Sequence, residues 1–280
     1  MLLVAIGWMY VVLMMAIAEA MHPNGTLLGA VMTVVFYGAL PLSVVLYIMG
    51  SPGRRAARKS VAQSQHRVNV TAVLLAAGAG ERMGYQAKAL LQVDGQPLIT
   101  RLVSQLYDSG IREVVVVLGH HADAIQVALA DRPISPSMRV VRHENPNVGQ
   151  AQSLRLGLRA VSADSEGVLL ALVDQPLIDA ADIGTLLDAF GHRGDCAMVV
   201  PRVQRADGTR QPGNPVVIDR ALAVAWAEQA EPTTGRAWRE LHPERVHWLD
   251  TRNTNYVWDV DTPSDISDLE VQTGLKVEQP

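Results

Sequence analysis

The chain has 280 residues, 49% of them hydrophobic, which suffices for a substantial core and excludes a disordered protein. Its formal charge of −4 is unevenly spread: the first seventy residues hold Arg54, Arg55, Arg58, Lys59 and Arg67 against Glu19 alone, leaving 19 basic and 27 acidic side chains in the remainder. An acidic globular part with no basic stripe argues against nucleic acid as the main partner, and a single cysteine, Cys196, excludes an intrachain disulfide framework.

Residues 1–18 form an uninterrupted apolar run, and 27–49 form a second, broken only by Thr33, Pro41 and Ser43. About 20 such residues cross a bilayer as a helix. The polar, turn-forming stretch from Glu19 to Thr26 reads as the connection of a helical hairpin. That connection lacks Lys and Arg, whereas Arg54, Arg55, Arg58 and Lys59 follow the second run, so the rest of the chain is expected in the cytoplasm. A signal peptide ending at Ala16-Ile17-Ala18 is the alternative for the first run, but it lacks a positively charged leading segment. Neither run has an ionisable residue in its interior, which argues against a channel or transporter. The expected organisation is two transmembrane helices in 1–50, a basic linker in 51–67 and one catalytic domain in 68–280.

From Val70 onward short β-branched runs alternate with amphipathic stretches, the pattern of a parallel α/β sheet. Strands are predicted at 70–75, 113–118, 138–142, 168–173 and 197–200, with further runs at 215–218 and 246–249. Helices are predicted at 98–109, 122–130, 150–160, 180–190 and 263–272. The fold expected is α/β: a three-layer Rossmann-like domain with a mostly parallel sheet and its ligands at the carboxyl ends of the strands.

The first strand empties into Leu75-Ala76-Ala77-Gly78-Ala79-Gly80-Glu81-Arg82-Met83-Gly84. Small residues at Ala76, Ala77, Gly78 and Gly80 let the main chain approach a ligand and turn its N–H groups toward phosphate oxygens. Arg82 and Lys88 add positive charge beside it. A dinucleotide fingerprint would need glycine where Met83 stands, and a Walker loop would need Gly-Lys-Ser/Thr around Lys88, so neither applies.

That loop, followed by Lys88, Leu90-Leu91 and Gly95-Gln96-Pro97-Leu98, resembles the signature of the MobA-like nucleotidyltransferases. Ala77 and the later Asp174-Gln175-Pro176 make it most similar to the molybdenum cofactor cytidylyltransferase branch. The resemblance runs from about Val70 to Leu269 and leaves the apolar runs outside. It implies that Leu75, Ala76, Ala77, Gly78 and Gly80 hold the nucleotide and that Arg82 and Lys88 contact its phosphates. It further implies that Asn145, Gly149 and Ser153 help bind the nucleoside end, and that Asp174 and Asp261 ligate Mg²⁺. Arg82, Lys88 and Asp174 are then the catalytic set. The implied reaction is attack of an acceptor phosphate oxygen on the α-phosphorus of CTP, or of another NTP, with pyrophosphate leaving and a molybdopterin-type acceptor receiving CMP. A molybdenum hydroxylase is the implied partner at the membrane.

Where relatives of that branch carry Gly-His-Pro, this chain has Gly213-Asn214-Pro215, and where they carry Gly-Asp-x-Gly-Ala-Arg it has Pro232-Thr233-Thr234-Gly235-Arg236-Ala237. These departures fall on the segments expected to face the acceptor, so a sugar phosphate or another phosphorylated acceptor stays open, as does a non-catalytic carrier of the cofactor. His120-His121 reads as the start of a helix, because adjacent residues point apart and no second cluster completes a metal site. Trp226, Trp238, Trp248 and Trp258 read as core or lid packing.

Overall fold

A computed structural model describes residues 2–21, 26, 29, 31, 32, 34–39, 68–130, 137–229 and 233–279. The chain divides into two compact units, Met1–Arg67 and Val68–Pro280. In the first, a helix covers Leu2–Met21 and a π-helical turn covers Val34–Ala39. Of the described side chains on that helix, Val12 and Ala16 are buried at an i,i+4 spacing, while Tyr10, Leu13 and Met14 are exposed. Among the described residues no helix is long and apolar enough to cross a membrane, so they lend the expected two-span hairpin no support. In the second run the described stretch Val34–Ala39 takes π rather than α geometry. Most of that run, and all of the basic linker, lie outside the described residues.

The second unit is a three-layer α/β domain. Its strands are β1 (Val70–Ala76), β2 (Gln92–Val93), β3 (Gln96–Pro97), β4 (Glu113–Leu118), β5 (Met138–Arg142), β6 (Gly167–Leu172), β7 (Met198–Gln204), β8 (Arg210–Pro212), β9 (Val216–Asp219), β10 (Val246–Thr251) and β11 (Val277–Glu278). The main sheet runs β10-β7-β9-β6-β1-β4-β5, with β8 added to β7, and β11-β2-β3 make a small antiparallel sheet. The pairs β6–β1, β1–β4, β4–β5 and β7–β10 are parallel, whereas β9 is antiparallel to both β6 and β7.

Alternation along β1 sets the layers. Ala72, Leu74 and Ala76 face one core with Ile99, Leu106, Ile183 and Phe190, while Val73 faces the other with Leu154, Leu158, Leu222 and Trp226. The first core is closed by helices Leu98–Asp108, Ala122–Ala130 and Ala180–Gly191, and the second by Gln150–Arg159 and Arg220–Glu228. Trp226 and Trp238 meet edge to face at 6.2 Å in the second core.

A third, smaller core gathers Met83, Leu91, Val93, Leu98, Val260, Ile266 and Leu269. It ties the glycine-rich loop to the C-terminal helix Pro263–Thr273. Strand order reverses at β1, whose successor β4 lies on one side while β6 returns to the other. A crevice therefore opens beyond the carboxyl ends of β1 and β6.

Candidate active site

The loop after β1 gets its shape from two left-handed glycines, Gly80 (φ 68°) and Gly84 (φ 69°), which flank the tight turn Glu81–Met83. A methyl group on Gly80 would lie 2.0 Å from the Gln86 carbonyl oxygen, so both conformation and space demand glycine. The N–H groups of Met83 and Tyr85 both donate to the Gly80 carbonyl, at 2.9 Å. Met83 is buried in the third core, which explains an apolar side chain where a dinucleotide loop needs glycine. The N–H groups of Gly78, Ala79 and Gly80 find no backbone acceptor among the described residues. These three residues line a cleft of about 490 Å³, and successive free amides of this kind suit an anion.

Four charged groups converge on this cleft. Lys88, at the head of the turn Lys88–Leu90, donates to Asp261 Oδ1 at 2.5 Å and lies 3.9 Å from Asp174 Oδ2. Arg82 reaches the other oxygen of Asp261 at 2.8 Å. Asp261 is thus held by two cations, chiefly Lys88, which keep its carboxyl below the usual carboxylate range. The helix cap beside it is supplied by Asp265, whose carboxylate accepts from the N–H groups of Asp261 and Thr262 at 2.8 and 2.7 Å. The side chain of Asp261 is therefore free of capping and turned to the lysine.

Asp174 follows β6, with its side chain 22% exposed. Its Oδ1 is buried and has no hydrogen-bond partner among the described residues. Burial, followed by the neighbouring charge of Asp259, pushes its carboxyl up to about 6, against the opposing pull of Lys88. Burial and the Asp261 carboxylate also raise Asp259, which Gln175 partly offsets. The loop that carries Asp259 and Asp261 is anchored at several points. Val260 N–H donates to the Asp174 carbonyl at 2.8 Å, and the Asp182 carboxylate accepts from the Asn253 and Asn255 side chains. Tyr256 donates its hydroxyl to the Asp182 carbonyl, and its own carbonyl accepts from both Gln175 Nε2 (3.3 Å) and Asn214 N–H (2.8 Å).

The structure brings Leu75, Ala76, Ala77, Gly78, Gly80, Arg82, Lys88, Gly149, Ser153, Asp174 and Asp261 to one cleft. Asn145 is exposed and lies outside the lining, because its carbonyl caps the turn Pro146–Val148; Asn147, two residues on, reaches the cleft instead. Ser153 is buried and meets His143 Nδ1 at 3.0 Å, so it is no surface residue of its helix.

The pair His120-His121 stands at the start of a helix as expected, the Ile125 N–H donating to the His121 carbonyl at 3.1 Å, but it also has a place in the cleft. Both line the cleft before the helix begins, and His121 sits at φ 60°. His120 Nδ1 donates to the Ala77 carbonyl at 3.1 Å, and its Nε2 lies 3.1 Å from the Asn147 side chain. A methyl on the preceding Gly119 would approach Ala77 and Pro146 at 2.8 Å, so this glycine lets the β1 and β4 ends close together. Position at the carboxyl end of a strand beside β1 was the signal available in the sequence. A second cavity, of about 260 Å³, shares Leu75, Gln150 and Leu172 with the first. It is lined by Gly213 and Asn214 and by Thr233 to Arg236, parts of the two segments that depart from the branch pattern.

A family model described as the MobA-like NTP transferase domain matches residues 72–246. The chain is 34% identical over 201 residues to nicotine blue oxidoreductase of Paenarthrobacter nicotinovorans, covering 69% of this chain and 92% of that protein. It is 31% identical over 143 residues to the bifunctional protein GlmU of Sorangium cellulosum, covering 50% of this chain but 30% of that relative. Among solved structures, Rv0371c of Mycobacterium tuberculosis aligns with a TM-score of 0.57 at 28% identity, over 73% of this chain and 98% of that one. The same protein in complex with manganese aligns with a TM-score of 0.57 at 26% identity, over 74% and 100%.

Proposed function

Because the chain belongs to the MobA-like NTP transferase family, we propose that it transfers CMP from CTP to the phosphate of a molybdopterin-type acceptor and releases pyrophosphate. The observation that carries the reading is the convergence of Lys88, Arg82, Asp174 and Asp261 on a cleft floored by unpaired loop amides. Both reactants are anions, so the work lies in alignment and charge neutralisation. The amides of Gly78 to Gly80 receive phosphate oxygens, and Lys88 and Arg82 exchange Asp261 for phosphate. An acceptor phosphate oxygen then forms a bond to the α-phosphorus as the bond to the pyrophosphate oxygen breaks in line, and no side-chain nucleophile takes part.

The donor set fits Mg²⁺. The buried, unpartnered Oδ1 of Asp174 is an oxygen that a cation would satisfy, with Asp261 as the second ligand. No group of three or more protein ligands stands assembled among the described residues, which suits an ion that fills its shell with waters and phosphate oxygens. When bound, the ion supplies neutralisation of phosphate charge.

One relative's name favours a second reading, reduction of a substrate. Against it, the loop lacks the dinucleotide fingerprint at Met83, and paired carboxylates beside Lys88 have no task in hydride transfer. The experiment is pyrophosphate release by the full chain with Mg²⁺, molybdopterin and each NTP in turn, with NADH and NADPH consumption in parallel and Asp174→Ala as control. CTP-specific release lost in the variant is expected. Reductant consumption without release would replace the reading. For the site of action, we propose the cytoplasmic face of a membrane. Support comes only from the apolar runs followed by Arg54, Arg55, Arg58 and Lys59, and retention on membranes after an alkaline wash tests it.

A further inference from the structure

The second cavity has a chemistry of its own. Leu154, Leu170, Met198 and Val216 give it an apolar wall, Arg236 and Arg239 line it as well, and among the described residues no carboxylate does. The two arginines differ. Arg236 is exposed and engages Glu240 at 3.0 Å, whereas Arg239 is half-buried and makes no hydrogen bond or ion pair among the described residues. The ring centre of Trp248 lies 5.8 Å from its guanidinium carbon.

Comparable arginines of this domain are compensated. Arg202 is bound by Asp250, Arg193 by the carbonyls of Phe190 and Cys196, and Arg220 by that of Ser162. Burial is the chief cause that depresses the basicity of Arg239; the charge of Glu240, itself bound to Arg236, opposes it without contact. A guanidinium left this way in a partly apolar wall is unfavourable until an anion joins it.

We propose that the second cavity is an anion-reading acceptor site, in which Arg239 pairs with a phosphate ester carried on a ring-sized apolar body. The volume of about 260 Å³ falls below that of pockets for drug-sized ligands, which matches one or two rings. The word acceptor rests on the transferase reading, through the shared walls Leu75, Gln150 and Leu172. The anion site itself does not.

The test uses the full chain and phenyl phosphate, with benzyl alcohol as the uncharged comparator. The readout is the indole N–H resonance of Trp248, assigned with Trp248→Phe. A saturable shift with phenyl phosphate, at least about tenfold weaker with benzyl alcohol, is expected, and Arg239→Gln weakens phenyl phosphate about tenfold or more while Arg239→Lys weakens it less. Thermal unfolding of both variants verifies that they fold. Unchanged affinity in folded Arg239→Gln, or no shift at Trp248, overturns the proposal. So does loss of the shift in Lys88→Ala, because the anion would then belong to the first cleft. Failure of the transferase reading is seen separately, as absent pyrophosphate release, and leaves these shifts in place.

Discussion

Asp174→Asn should make the metal-free protein harder to unfold while removing its activity. In the folded chain the carboxyl titrates at about 6, against 3.8 in its ordinary state. A shift of that size corresponds to roughly 3 kcal/mol of penalty on the charged form. Between these two values the folded state keeps a proton that the unfolded chain has lost, so stability falls as pH rises through that window. Above the folded value the whole penalty is present. Asparagine is nearly isosteric and uncharged, and no hydrogen bond is lost at Oδ1 because none is made there. Lys88 keeps Asp261 as its partner. With part of the penalty screened at a side chain 22% exposed, the variant should gain about 1–3 kcal/mol at pH 8, or roughly 3–10 °C in Tm for a domain of this size. Near pH 4 the gain should shrink toward zero. Thermal unfolding followed by circular dichroism in EDTA at both pH values measures this, beside pyrophosphate release, which should fall by about a hundredfold or more. A Tm at pH 8 equal to or below that of the parent chain, or a gain undiminished at pH 4, would refute the reasoning.

Asp261→Asn removes the anion that Lys88 and Arg82 share with incoming phosphates. Metal-free CTP binding, read by calorimetry, should tighten severalfold while metal-dependent turnover drops about a hundredfold; weaker metal-free binding would contradict the competition. Gly80→Ala meets both a left-handed φ and the Gln86 carbonyl, so it should cost about 2 kcal/mol or more in denaturant unfolding and raise the CTP KM, and a neutral effect would mean that the loop is not held as described. Met83→Ala hollows the third core and should destabilise by about 2–5 kcal/mol. Urea unfolding would show it, and a loss below about 1 kcal/mol would deny Met83 its anchoring role.

Much of the sheet was legible because its central strands are buried on both faces and therefore read as continuous β-branched runs. The predicted 113–118 coincides with β4, 70–75 stops one residue short of the end of β1, and 168–173 is shifted by one residue at both ends of β6; 138–142 also coincides with β5, although that edge strand is half-exposed. Orientation was harder. Nothing in Val216–Asp219 announces that β9 runs against both neighbours, since an apolar run reports burial and not direction. The two-residue strands β2, β3 and β11 are too short to carry a period. At the site, Lys88, Asp174 and Asp261 were reached through the ordered motifs of a resemblance, and they meet in space although they are spread along the chain. Asp259 and Arg239 were missed because each acquires its position from elements distant in sequence, and the residue type alone does not distinguish it from a surface neighbour; His120, just beyond β4, did carry a signal in its place at a strand end.

The Tyr256 carbonyl, which receives Gln175 from beside one cavity and Asn214 from the wall of the other, sets a rule for anyone who would re-engineer this enzyme. A graft of residues 213–239 from a relative, intended to change only what the second cavity accepts, would dock against a peptide plane that also orients the neighbour of Asp174. Any mismatch of a few tenths of an ångström there would be exported to the nucleotide end. Swaps that carry the 253–261 loop along with the graft should keep turnover where swaps of the wall alone lose it.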